Sequence, residues 1–230
     1  MFTCQSCGAR ADDRLGACPR CLEFGSFVRT VAAPHSYLRD TAILTAADLW
    51  RRTTKYLELG ELEEFFGRLP IDPCGVAIYG PPGAGKSTLM LRLADKLSRE
   101  VGPVLYNALE EGTGSSVTDK LRRLEIRSPS LHIGCLAELP VVIEHASSLG
   151  ARWLFFDSLT QSSFTAEDLA RLMRETSLSL VYSLHATKAG LARGPTSLLH
   201  VADVVLRLEA GRFAIEKHRF AATKEGVFQC

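Results

Sequence analysis

The sequence contains no apolar run near the ~20 residues that a membrane-crossing helix needs. Its first residues, Met1-Phe2-Thr3-Cys4, have neither the charged n-region nor the apolar stretch of a secretory leader. These absences argue against a membrane partner and for a cytoplasmic location. An excess of either charge sign is also missing. Lys+Arg number 27 and Asp+Glu 26, a formal charge of +1, so any nucleic-acid contact must come from a local patch, repeated around an oligomer, and not from a broad field. Internal repeats and low-complexity tracts are absent. Of seven cysteines, four sit in two close pairs and three are scattered, which suits metal ligation in a reducing compartment better than a disulfide framework. What is present is 230 residues of 46% hydrophobic composition, enough for one large core and a small appended module.

The paired cysteines come first. Cys4-Gln5-Ser6-Cys7 and Cys18-Pro19-Arg20-Cys21 are two C-x-x-C knuckles whose spacing can close a single tetrahedral site of four thiolates. Thiolates favour soft or borderline ions, and a module this short has too little apolar area to fold without metal, so Zn²⁺ is the expected occupant. Four thiolates fill the coordination shell, which makes the site structural and not catalytic. The expected organisation is a zinc ribbon over 1–28, a linker over 29–56 and an ATPase domain over 57–230. Within the last, Leu57 to Phe66 reads as a short acidic helix burying Leu59, Leu62, Phe65 and Phe66.

The strongest motif is Gly80-Pro81-Pro82-Gly83-Ala84-Gly85-Lys86-Ser87-Thr88, which satisfies G-x-x-x-x-G-K-[ST] between a strand-like run, Val76 to Tyr79, and an amphipathic helix, Lys86 to Arg99. Glycines let backbone N–H groups turn around a polyphosphate, and the following helix presents its unpaired amides to the anion. ATP is the expected ligand, with Lys86 on the β/γ-phosphates, the Ser87 hydroxyl on Mg²⁺ and Thr88 opening the helix face that packs under the sheet. Strands and helices then alternate as a doubly wound α/β fold requires. Val104 to Tyr106 leads to the carboxylate pair Glu110-Glu111 at the expected carboxyl edge of a parallel sheet. Trp153-Leu154-Phe155-Phe156-Asp157 is an apolar strand ending in a carboxylate, the Walker B form, with Asp157 placed to support Mg²⁺. The strand over 178–184 delivers His185, either a polar residue near solvent or a sensor of the γ-phosphate. Residues 189–199, rich in Gly and Pro, read as a mobile loop beside Lys188, and two strands joined at Glu209-Ala210-Gly211 read as a hairpin.

Taken together, these residues resemble the RadA/Sms family of bacterial DNA-recombination ATPases, within the RecA-like superfamily and related to hexameric helicases. Phe2 to Gly8 and Leu15 to Cys21 are similar to that family's zinc module. Tyr106 to Gly112 resembles its Y-V-S-G-E-E-S segment, and His185 to Gly190 with Gly194-Pro195 its H-V-T-K-E-G…G-P loop. Lys217-His218-Arg219-Phe220-Ala221 stands where the family has K-N-R-F-G, with His218 and Ala221 departing from it. The resemblance implies a RecA-like core in a homo-oligomeric ring, a hexamer, with Lys217 and Arg219 reaching the next subunit's γ-phosphate and Glu110 or Glu111 orienting the attacking water. It implies a DNA repair and recombination function, DNA-dependent and helicase-like, in a shortened form without the family's C-terminal protease-like domain. Single-stranded DNA would be held near Lys188 and Arg193. A family loop that helps contact DNA is shorter here, between Asp157 and Ser179. The alternative reading is an ATP-switched adaptor that oligomerises and recruits a protein partner through its zinc ribbon.

Overall fold

In a computed structural model, the described residues are 2–4, 10–11 and 27–29, for which the backbone alone is described, and 43–227. The chain divides into two compact units, Met1–His35 and Ser36–Cys230. In the first, strand β1 (Phe2–Cys4) lies between β2 (Arg10–Ala11) and β3 (Phe27–Arg29), antiparallel to both. Cys4 ends β1; Cys7, Cys18 and Cys21 lie outside the described residues. The stretch read as a linker, 29–56, is split between the units and contains helix α1 (Ala46–Arg51), capped by Thr45 and burying none of its residues.

The second unit is built on β4 (Gly75–Gly80), β5 (Val104–Asn107), β6 (Leu131–Gly134), β7 (Trp153–Phe156), β8 (Ser179–His185), β9 (Val204–Glu209), β10 (Arg212–His218) and β11 (Glu225–Val227). The sheet order is β11-β10-β9-β4-β8-β7-β5-β6, parallel from β9 to β6 and antiparallel across β9-β10-β11. Every residue of β4, β5 and β7 is buried, because helices cover both faces and leave no position for a solvated side chain. On one face lie α2 (Glu63–Phe66), α3 (Lys86–Glu100) and α4 (Ser115–Arg123), packed over Val76, Ile78, Tyr106 and Phe155. On the other, α5 (Leu139–Leu149), α6 (Ala166–Thr176) and α7 (Ser197–Val201) cover Ala77, Leu154, Phe156 and Tyr182. Side chains alternate across each strand, so neighbouring residues feed the two cores in turn.

Two local expectations need correction. The helix expected from Leu57 to Phe66 begins only at Gly60, as a 3₁₀ turn (Gly60–Leu62) leading into α2. Gly60 has φ 60°, which breaks a right-handed helix, and Leu57 N–H instead donates to Leu69 O at 2.9 Å. Residues 189–199 are not a bare loop. Ala186 bridges Ala192, Arg193 N–H donates to His185 O at 2.7 Å, and α7 starts at Ser197, so the glycines serve a tight hydrogen-bonded turn.

His218, the departure at the second signature position, has a structural explanation. Its Nδ1 accepts from Phe220 N–H and its Nε2 donates to Phe66 O, both at 3.0 Å, which fixes a neutral tautomer. The ring fills the space over Gly67, where a Cβ would stand 2.4 Å from Nε2, and so pins α2 to the end of β10. Burial holds the imidazole below its ordinary value, and nearby Lys224 lowers it further, against the bond to Phe66 O. The unfolded chain then binds the proton more readily, so the contribution is intact above about pH 6.5 and is lost as pH falls below it. Urea denaturation should therefore show a steeper loss of stability between pH 7 and 5 for the parent than for His218→Asn. Equal slopes would contradict the burial argument.

Candidate functional site

Four elements end at one edge of the sheet and bring the expected residues together. Strand β4 runs into the loop 81–85, where Gly83 and Gly85 have φ 76° and 89° and where a Cβ on Gly80 would stand 2.2 Å from Leu208 O. Both constraints exclude larger residues, the first by backbone strain and the second by collision. Helix α3 begins at Lys86, so the N–H groups of its first turn have no partner within the helix and face the loop. Pro81, Pro82 and Gly83 are exposed and Ala84 is buried, its N–H closing a turn on Pro81 O at 3.3 Å. Ser87 and Thr88, half-buried, follow Lys86 on α3.

Lys86 is 7% exposed. Its Nζ donates to Gly80 O and Pro81 O, each at 2.9 Å, which uses two of the ammonium's three donors. Burial lowers its proton affinity, and the charges of Asp157 and Glu110 oppose that shift. A buried, incompletely paired cation among backbone N–H groups fits a polyphosphate.

Asp157, at the end of β7, is 8% exposed and is held from two sides. Tyr106 Oη donates to Oδ2 at 2.6 Å and Ser183 Oγ donates to Oδ1 at 2.7 Å. Its backbone is equally fixed, since Asp157 N–H donates to Asn107 O at 2.9 Å and Glu110 N–H donates to Asp157 O at 3.1 Å. Tyr106 and Ser183 are the functional residues that sequence reading missed. Ser183, 0% exposed inside an apolar strand, is a polar group that had to find a partner, and that was the available signal. The phenol of Tyr106 is pushed well above its ordinary value by burial and by the Asp157 charge, so it remains a donor.

The carboxylate pair after β5 separates. Glu110 Oε2 lies 3.1 Å from His185 Nε2, on the last residue of β8. Glu111 turns away, accepting from Ser116 Oγ at 3.0 Å and pairing with Lys120. His185 is fixed through its main chain as well, its N–H donating to Thr160 Oγ1 at 3.1 Å while the next N–H, of Ala186, donates to Gly80 O at 2.9 Å. Lys86, Asp157, Glu110 and His185 thus converge.

Lys217 and Arg219 do not join them. Lys217 pairs with Val205 and His218 with Val204, so the chain leaves β10 beside the first residues of β9 and β4. Five steps of β4 separate that edge from Gly80, about 17 Å at the usual rise. Lys217 Nζ donates to Leu199 O at 3.3 Å, to His200 O at 3.0 Å and to Ala202 O, closing the end of α7. Arg219 Nη1 lies 3.2 Å from Asp203 Oδ1.

Comparison with known proteins decides the kinship. The chain is 29% identical over 264 residues to the DNA repair protein RadA of Bacillus subtilis, covering 99% of this chain and 57% of that protein. Against the RadA of Campylobacter jejuni the identity is 30% over 264 residues, covering 100% of this chain and 58% of that protein. This chain is a relative of the RadA proteins. It spans somewhat over half their length. Residues 2–29 match a zinc-ribbon family described as a rubredoxin metal binding domain. Among solved structures, a KaiC-like protein of Pyrococcus horikoshii matches with a TM-score of 0.60 at 18% identity, covering 77% of this chain and 95% of that one. A second solved structure, itself an isolated ATPase domain, matches with a TM-score of 0.54 at 14% identity, covering 66% of this chain and 79% of that one. The fold is therefore an α/β, RecA-like P-loop core with a mainly parallel sheet, preceded by a zinc ribbon, as the RadA resemblance implied.

The two hydroxyl donors make a testable requirement. Ser183→Ala leaves one buried oxygen of Asp157 without its donor, and Tyr106→Phe the other. Each should lower stability by about 1–3 kcal/mol in urea denaturation, since the lost bonds are to a charged group. A double variant no worse than either single one would mean that the carboxylate relaxes toward other donors.

Proposed function

We propose that this chain is a RadA-type ATPase that hydrolyses ATP at sites shared between adjacent copies in a ring, and that it serves DNA repair. The observation that supports it is the placement just described. Lys86 and Glu110 lie at one edge of the sheet, while Lys217 and Arg219 stand at the other, beyond the reach of their own phosphate loop. A cation that cannot serve its own site can serve the next copy's, in the head-to-tail contact that closes a ring, a hexamer in this reading. Charge spreads over the transferred phosphoryl's oxygens, so a cation delivered only on assembly couples turnover to the ring.

Within one site, Lys86 holds the β/γ-phosphates with its remaining donor, and the amides of Gly83 to Thr88 cradle them. Ser87 and Asp157 are the residues that would hold Mg²⁺, which neutralises phosphate charge. Both Asp157 oxygens keep a second lone pair beyond their hydroxyl donors. Glu110, and not Glu111, orients the attacking water, because Glu111 is engaged by Lys120 and Ser116. His185 positions Glu110 and reports on the γ-phosphate. In this reading Lys188 and Arg193, at the turn that follows His185, hold single-stranded DNA and pass its presence back to Glu110, with affinity that falls steeply as salt rises. Cys4, Cys7, Cys18 and Cys21 hold Zn²⁺ in the ribbon, which offers a surface for a protein partner. One observation favours a slower, adaptor-like use of the same site: Lys217 is fully committed to the carbonyls that end α7, which leaves Arg219 alone to act across the interface.

Steady-state ATPase assays with and without single-stranded DNA test this reading. Glu110→Gln should lower kcat by about 100-fold or more while ATP affinity stays close to the parent's, and Glu111→Gln should keep most of the activity. The reverse pattern would overturn the assignment of the two carboxylates. Turnover indifferent to DNA, with no binding to it at low salt, would leave the adaptor reading in its place.

A further inference from the structure

Arg219 does not hang free from the end of β10. Asp203, 8% exposed and one residue before β9, clamps it to the start of β4. One carboxylate oxygen, Oδ2, accepts from Gly75 N–H at 2.9 Å, and the other lies 3.2 Å from Arg219 Nη1. The main chain closes the same junction, Asp203 N–H donating to Gly75 O at 2.7 Å and Arg219 N–H donating to Asp203 O at 3.1 Å. A carboxylate fixed by a backbone amide at one oxygen and buried around the other has a set orientation. The guanidinium bound to it is aimed from a rigid base.

The rest of Arg219 is available. Its side chain is 59% exposed and borders an open groove of about 480 Å³, with Pro73, Met173, Val201 and Phe220 on its apolar walls. Arg219 meets Asp203 through the terminal nitrogen Nη1, and the exposed guanidinium keeps donors for a phosphate. A half-exposed ion pair is weak, so it restricts the side chain's rotamers without holding it back from a triphosphate of far greater charge.

We propose that Asp203 is a positioning residue for the shared site: it aims Arg219 at the nucleotide of the adjoining copy. This rests on the shared-site reading above. It adds a direction of action, since Asp203 serves the neighbour's phosphate loop and not the one at the end of its own β4.

The test uses Asp203→Asn, which keeps an acceptor for Gly75 N–H and removes the charge facing Arg219. Alone, the variant should bind ATP within about threefold of the parent and lose about tenfold or more in kcat. Mixed in equal amounts with Lys86→Ala, which lacks a working cradle but carries an intact Asp203 and Arg219, activity should return. About one site in four then combines an intact cradle with an intact, correctly aimed cation, so recovery should approach a quarter of parental turnover. Arg219→Ala mixed with Lys86→Ala is the control. If that control fails to recover, the shared site itself is wrong and the proposal falls with it. If the control recovers and Asp203→Asn does not, the carboxylate acts within its own subunit and the proposal alone is overturned. Loss of ATP binding by Asp203→Asn, or parental kcat, would overturn it equally.

Discussion

Strand β4 is a spacer as well as a core strand. It is hydrogen-bonded on both sides, to β8 and β9, and buried along its whole length, so its two ends cannot approach each other. One end opens into the phosphate loop. The other is tied through Gly75 to Asp203, and through Asp203 to Arg219. Parallel polarity then dictates the rest, because β5, β7 and β8 must deliver Glu110, Asp157 and His185 to the same edge as Gly80. The antiparallel return of β10 must deliver Lys217 and Arg219 to the opposite one. The separation of the phosphate loop from Lys217 and Arg219 follows from strand direction before any side chain is considered.

At the loop edge, the structure controls charge by burial and by counted donors. Asp157 is oriented by two hydroxyls, of Tyr106 and Ser183, that donate to its two oxygens. Burial lowers the proton affinity of Lys86, and the charges of Asp157 and Glu110 oppose that shift without cancelling it. Glu110 is kept near this group by its N–H bond to Asp157 O, and its side chain by His185. The edge is linked mechanically to the turn carrying Lys188 and Arg193, since Ala186 bonds to Gly80 while Arg193 bonds to His185.

Much of this was legible beforehand, and the reasons differ by residue. The phosphate loop can be read because its chemistry demands glycine, lysine and a hydroxyl at fixed separations along the chain. The alternation of strands and helices can be read because buried parallel strands and amphipathic helices leave different periods. Asp157 could be read from its place at the end of an apolar run. Which of Glu110 and Glu111 meets His185 could not be read, because adjacent residues differ only in the neighbour each meets, and His185 arrives from a distant strand. Tyr106 and Ser183 were hidden as ordinary members of apolar strands, since their purpose depends on the register of β5, β7 and β8. Asp203 was hidden for the same reason: its partners, Gly75 and Arg219, come together only when β9 and β10 flank β4. The turn after His185 read as a loop because glycine and proline mark a change of direction without saying how it is hydrogen-bonded.

In the proposed ring, a working site takes its cradle from one copy and its cation from the next. The most direct measurement is ATP turnover per chain across a dilution series, with sedimentation of the same samples in the presence of nucleotide. Turnover per chain should fall steeply on dilution, in step with the loss of assembled species, and reach a plateau once assembly is complete. Constant turnover per chain at concentrations where sedimentation finds only monomers would contradict the claim.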